Sequence, residues 1–135
     1  MKIYVCVKHV PDTAARITIR DDHRIDDRIT FIMNPYDENA IEEAVRIKGE
    51  SGDVEVIAVT LGSQAAEATL RSALAMGADR GILIRTDDNS DCLITAAALK
   101  AAIEADGQPD LIITGKESID SEGFQIMYRL AAGFN

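Results

Sequence analysis

The sequence predicts an α/β protein with a doubly wound parallel sheet, and three observations carry that prediction. Short apolar runs rich in β-branched residues alternate with helical patterns of about 10–15 residues, in the order β–α–β–α–β–α–β–α. Hydrophobic residues make up 47% of the 135, enough to bury a core within one domain. Aromatics are only 4% and Trp is absent, which suits aliphatic helices packed on a sheet better than a β-sandwich.

Ile3 to Val7 reads as a strand buried on both faces, because apolar residues run on without alternation. Lys8-His9-Val10-Pro11-Asp12 breaks it. Residues 16–32 alternate weakly, through Arg16-Ile17-Thr18-Ile19-Arg20, Asp21-Asp22-His23 and Arg28-Ile29-Thr30-Phe31-Ile32, and read as a surface hairpin or irregular excursion. A helix follows with Asn34 as N-cap, Pro35 at its first position and Asp37 at its third. Ala40, Ile41, Ala44, Val45 and Lys48 share one face of it, and Gly49 or Gly52 ends it.

The second strand is Val54 to Thr60. Leu61-Gly62-Ser63 turns it into a helix with Ser63 as cap. Ala66, Leu70, Ala73 and Leu74 form that helix's apolar face, and Gly77 takes a left-handed terminal position. Gly81 to Arg85 is the third strand. Ser90 or Asp91 caps a third helix with a small-residue face of Leu93, Ile94, Ala97, Ala98, Ala101 and Ala102. Asp106-Gly107-Gln108-Pro109 closes it. Asp110 to Thr114 is the fourth strand, and a fourth helix is expected from about Ser121 to Ala132. The whole of 1–135 reads as one domain, truncated at its carboxyl-terminal end, where Gly133-Phe134-Asn135 should lead into another strand.

The net charge of −9 disfavours a nucleic-acid groove. A single nucleotide is still compatible, since backbone amides and helix amino ends hold phosphate without a basic surface. Cys6 and Cys92 lie far apart, with no CxxC pair, so neither a disulfide framework nor a zinc site is expected. The amino-terminal segment lacks the form of a signal peptide, and no run reaches the length of a membrane helix. The reading is a reducing, cytoplasmic location without membrane insertion.

In open α/β sheets ligands lie outside the carboxyl ends of the strands. The segments placed there are Lys8-His9, Leu61-Gly62-Ser63, the Thr86 region and Gly115-Lys116-Glu117-Ser118. Several sharper motifs fail. Gly115-Lys116 resembles the end of a phosphate loop, but the earlier glycine it needs falls at Asp110. No GxGxxG follows the first strand, and no SGGxDS-type loop is present. His9 near Asp12 reads as loop polarity, and Cys6 as a small buried hydrophobe. Asp37, Glu38, Glu42 and Glu43 read as a solvated acidic helix start rather than a metal site. Asp120, Ser121 and Glu122 suit a helix start or contact with ribose or phosphate equally. Arg71 and Arg80 read as surface or ion-pair residues.

Five stretches resemble the β-subunit of electron transfer flavoproteins, in its amino-terminal portion. They are residues Cys6 to Asp12 (CVKHVPD), Met33 to Ala44 (MNPYDENAIEEA), Val56 to Val59 (VIAV), Thr69 to Gly81 (TLRSALAMGADRG) and Gly115 to Asp120 (GKESID). The resemblance covers essentially the whole chain in order. It implies a Rossmann-like, adenine-nucleotide-binding three-layer sandwich, and a heterodimer with an α-subunit that carries most of the redox FAD site. The implied role is that of an electron carrier without catalytic residues of its own, fed by flavin dehydrogenases. The implied cofactor is AMP, or a second FAD.

Carried over by position, the nucleotide site would use the backbone of Cys6, then Asn34, Pro35, Tyr36, Asp37, Leu61, and the loop of Asp120, Ser121, Glu122, Gly123 and Gln125. The helix starting near Ser121 would aim its amides at phosphate. The chain departs from the family where Thr-Gly-Gln usually follows the residue matching Gln125. Here Ile126-Met127-Tyr128 stands instead, without the hydroxyl and the glycine. Ser121, Glu122 and Gly123 also replace a more acidic run. The alternative from another class is a stand-alone nucleotide-binding regulatory module resembling universal stress proteins.

Overall fold

A computed structural model describes every residue except Asp22, Arg24, Asp27, Asp88 and Asn89. In chain order the elements are β1 (Lys2–Cys6), β2 (His9–Pro11), β3 (Phe31–Met33), α1 (Pro35–Ser51), β4 (Glu55–Gly62), α2 (Glu67–Met76), β5 (Arg80–Arg85), α3 (Cys92–Asp106), β6 (Leu111–Thr114) and α4 (Ile126–Phe134). A short 3-10 turn, Gln64–Ala66, leads into α2.

Four strands form one parallel sheet in the order β5-β4-β1-β6. The doubly wound expectation therefore holds. β1 lies between β4 and β6, with Val5 opposite both Ala58 and Ile113. Its alternate side chains serve the two faces. Ile3 and Val5 pack with Ala40, Ile41 and Ala44 of α1 and Leu70 and Ala73 of α2. Tyr4 and Cys6 pack with Leu99 and Ile103 of α3 and Leu130 of α4. Burial on both sides is why β1 reads as a continuous apolar run.

Three helix termini follow local chemistry. Pro35 opens α1, where its missing N–H costs nothing. Asp91 caps α3, accepting from the amides of Leu93 and Ile94 at 2.8 Å. Gly77 ends α2 at φ 119, and a Cβ there would meet Val45 at 3.2 Å.

Several readings need correction. Residues 9–11 and 31–33 pair antiparallel as β2 and β3, so the break after β1 is itself a strand. Within the excursion Ile19 and Ile25 form one bridge, while its Asp22 lies outside the described residues. The buried stripe of α3 is Ala96, Leu99 and Ile103, and Leu93, Ile94, Ala97 and Ala101 face outward. This helix is apolar nearly all round, so spacing alone does not say which stripe is core. Leu74 is exposed, and Thr69 takes its place on the buried face of α2, with its hydroxyl 2.8 Å from His9 Nδ1.

α4 begins at Ile126 rather than near Ser121. Glu122 and Phe124 sit at φ 48 and 46. Left-handed residues do not continue a right-handed helix, so 115–125 stays a loop. At the opposite edge of the sheet, Arg80 does act as an ion-pair residue. It holds Glu55 at 2.7 Å and Asp106 at 2.6 Å, and the Tyr4 hydroxyl donates to Asp106 at 2.6 Å. Arg71 pairs with Glu67 one turn earlier on α2. No helix among the described residues is long and apolar enough to cross a membrane.

Candidate functional site

The chain runs outward from β1 through β4 to β5, then crosses to β6 on the other side of β1. That reversal places a crevice at the carboxyl ends of β1 and β6. The last paired residues are Cys6 and Thr114. Beyond them the strands part, and Lys8 and Gly115 face the start of α1.

Asp37 fills the gap. Its Oδ2 accepts from the Lys8 amide at 2.8 Å, and its Oδ1 accepts from the Gly115 amide at 3.1 Å. The side chain is buried, so the reading of Asp37 as part of a solvated acidic face is wrong for this residue, while Glu38, Glu42 and Glu43 are exposed as expected. Burial pushes the Asp37 carboxyl up to about 6, against the pull of its hydrogen bonds from Lys8, Asn34 and Gly115 and of the Lys8 charge. A carboxyl that holds its proton more tightly when folded adds stability at low pH. That contribution is complete below the unfolded value near 3.8 and disappears as pH rises through about 6. Between pH 4 and 7 the unfolding free energy of the wild type, taken relative to Asp37→Asn, is expected to fall by about 2–3 kcal/mol. Urea titrations of both proteins across that range measure it, and a difference that stays constant with pH would refute it.

Asn34 is the second tie between α1 and these strand ends. It is 1% exposed and makes no side-chain cap to α1. Its Nδ2 donates to the Glu117 carbonyl at 2.8 Å, and its Oδ1 accepts from the Ile119 amide at 3.1 Å. The expected N-cap is instead a brace for the loop after β6. A buried amide satisfies one acceptor and one donor of the loop at once, where a cap would satisfy only donors.

Those two braces bring Lys8 against the loop. Its ammonium reaches the Asp120 carboxylate at 2.7 and 2.8 Å, Ser118 Oγ at 3.3 Å and Ser121 Oγ at 3.4 Å. The two serine hydroxyls are 2.8 Å apart. Desolvation pulls Asp120 upward, but the hydrogen bonds from Lys8 and Ser118 and the Lys8 charge outweigh it, and the carboxyl titrates below its usual range.

Of the residues expected at a site, Asn34, Asp37, Asp120 and Ser121 therefore converge. Cys6 ends β1 with its side chain buried, its thiol pushed up to about 12 by burial and then by the Asp37 charge. Pro35 is exposed at the start of α1, and the Tyr36 ring lies under the Lys116 ammonium at 5.1 Å. Leu61 sits near the end of β4, opposite Ile84. Glu122 and Gly123 lie on the exposed rim of the loop. Gln125 turns away, its Oε1 accepting from Cys92 Sγ at 3.1 Å and Arg129 at 2.8 Å. Lys8, Gly115 and Ser118 join this cluster, although the sequence marks them only as strand-end residues. The signal for Lys8 is local: it is the first cation after the apolar run Ile3 to Val7.

Chemically this is a polar cluster in which the Lys8 ammonium is already paired with the Asp120 carboxylate. One ammonium and two hydroxyls face an exposed loop, and the Lys8 side chain is 43% exposed. Such donors are of the type a phosphate takes, with the Asp120 carboxylate competing for the Lys8 ammonium. The thiol of Cys6 stays protonated, and His9 is committed to Thr69 and to a stack on Phe31 at 4.8 Å. Among the described residues no group of three or more His, Cys, Asp or Glu is arranged to hold a metal.

Residues 24–135 match the model of the electron transfer flavoprotein domain. The chain belongs to the electron transfer flavoprotein domain family. It is 41% identical over 131 residues to the electron transfer flavoprotein subunit beta of Syntrophomonas wolfei, covering 97% of this chain and 52% of that protein. It is 38% identical over 133 residues to the subunit beta of Bacillus subtilis, covering 97% and 51%. It is 40% identical over 136 residues to the acryloyl-CoA reductase electron transfer subunit gamma of Anaerotignum propionicum, with the same coverage of 97% and 51%. The chain spans about half the length of the curated relatives it matches. The parallel sheet flanked by helices on both faces agrees with the Rossmann-like domain of this family.

Proposed function

We propose that the chain is the β-type subunit of an electron transfer flavoprotein. In this reading it holds AMP, or a second FAD, at the ends of β1 and β6, and scaffolds an FAD-bearing α-subunit that takes electrons from flavin dehydrogenases. The observation that carries the nucleotide part is the convergence of Lys8, Ser118, Ser121 and Asp120 at the switch point of the sheet. A relative named as subunit CarD of a caffeyl-CoA reductase-Etf complex supports the subunit part, at 38% identity. The exposed Leu93, Ile94, Phe124 and Tyr128 are apolar side chains of the kind that interfaces cover. A bound flavin would supply the redox chemistry, and the residues of this chain would orient it and place charge beside it.

Mass spectrometry of the ligand released from the complex with an α-subunit tests the reading directly, with AMP or FAD expected. A colourless homodimer carrying ATP would replace this reading with that of a stand-alone regulatory module. For the site itself, Lys8→Ala is expected to weaken AMP binding by about tenfold or more, the worth of one charge-assisted contact. Asp120→Ala, titrated beside it, is expected to change the affinity as well. Wild-type affinity in both would take the strand-end cluster out of the site.

A further inference from the structure

We propose that Asp37 is the positioning residue of this site and not one of its ligands: it ties the ends of β1 and β6 together, and so sets where Lys8 meets the Ser118–Ser121 loop. The inference rests on the nucleotide reading above and deepens it. Both carboxylate oxygens are committed to the protein. Oδ2 takes the Lys8 amide and Oδ1 the Gly115 amide, each one or two residues beyond the last ladder pair of Cys6 and Thr114. Where the strands diverge there is no neighbouring carbonyl to receive these two N–H groups, and the carboxylate takes that part.

Lys8 is consequently held at both ends. Its amide is fixed by Asp37, its carbonyl accepts from the Asn34 amide at 2.9 Å, and its ammonium lies among Asp120, Ser118 and Ser121. A shift of the Lys8 backbone would move the ammonium relative to both hydroxyls. The approach is also too close for a bystander: a Cβ on Gly115 would lie 2.2 Å from Asp37 Oδ1. The titratable and charged groups around Asp37 are the buried Cys6 thiol and the Lys8 ammonium, with His9 next along the chain and drawn below its usual value by burial, and, from the loop after β6, Asp120 on the Lys8 ammonium and the Lys116–Glu117 pair beside Gly115. Burial raises the Asp37 carboxyl to about 6, while bonds from Lys8 and Ser118 hold Asp120 below its usual range, so the two carboxyls move the loop amides at separate midpoints.

The test is a double-mutant cycle on the full chain, with AMP as the probe in titration calorimetry. Asp37→Asn keeps one acceptor oxygen and places an N–H against the other amide. It is expected to weaken AMP binding by about tenfold, the effect of one lost charge-assisted bond. In a Lys8→Ala background the same change is expected to cost less than about twofold, because its effect runs through Lys8. Equal losses in both backgrounds would overturn the proposal.

The second measurement needs no variant and no ligand. In an NMR pH titration of the wild type, the amides of Ser118 to Gln125 are expected to move with the midpoint of the Asp37 carboxyl. The His9 ring is followed separately in the same spectra. Loop amides indifferent to Asp37 would overturn the proposal even if Asp37→Asn failed to fold. Absence of AMP binding in the wild type would sink the nucleotide reading, while the loop titration would still decide the role of Asp37.

Discussion

Gly115→Ala is expected to lower the unfolding free energy by about 3–5 kcal/mol, combining overpacking with the loss of a hydrogen bond to a buried carboxylate. The new methyl group would lie 2.2 Å from Asp37 Oδ1 and 2.8 Å from both the carbonyl carbon and Cβ of Tyr36. All three contacts belong to the first turn of α1, which Asn34 holds in place from the loop side. Neither wall can yield cheaply. Relief requires moving the start of α1 or the end of β6, and either movement breaks the hydrogen bond from the Gly115 amide to Asp37. Such a loss would be a large part of a typical domain's stability. Urea unfolding at neutral pH measures it. Gly49→Ala provides the contrast, since nothing lies within 4 Å of its added Cβ and it sits inside α1. That change is expected to stabilise by about 0.5–1 kcal/mol. Similar small effects at both positions would show that the approach at Gly115 is not tight.

Asn34→Asp is the second large effect, expected to cost about 2–4 kcal/mol and to loosen the loop before α4. At an ordinary N-cap the two residues are interchangeable, and Asp is as favourable as Asn. Here the Nδ2 group donates to the Glu117 carbonyl at 2.8 Å from a position 1% exposed. A carboxylate would set oxygen against oxygen at Glu117 and bury a charge that the Ile119 amide meets on one side. The outcome separates the two roles cleanly. A cap predicts no loss, whereas a brace predicts lower stability together with faster amide exchange at Glu117 to Asp120. Unfolding and hydrogen-exchange measurements on the same variant read both.

Much of the architecture was legible because it depends on local and periodic signals. β1 is apolar without alternation because both its faces are covered. Gly77 follows α2 because a left-handed residue is needed there, and Asp91 precedes α3 because the first amides need an acceptor. The errors are equally physical. α3 is apolar on nearly every side, so its buried stripe is chosen by the neighbouring sheet and by α4. The start of α4 was misplaced because Ser121 and Glu122 have the composition of a helix start, while the Ser121 hydroxyl is taken by Ser118 and Lys8.

The sequence by itself determined the parallel α/β class, the strand-end location of the polar chemistry, and the resemblance that led to the electron transfer flavoprotein domain family. These rest on residue type and spacing, which the chain displays without folding. Only the tertiary structure decided what the polar residues do. Asp37 lies 29 positions from Lys8 and 78 from Gly115, and Lys8 lies 112 from Asp120. No local signal reports contacts over such separations. They arise because the order β5-β4-β1-β6 sets the ends of the first and last strands of the sheet side by side. That adjacency set a helix-start acid between two strand ends, made a cap into a brace, and placed a lysine after a strand at the centre of the proposed site.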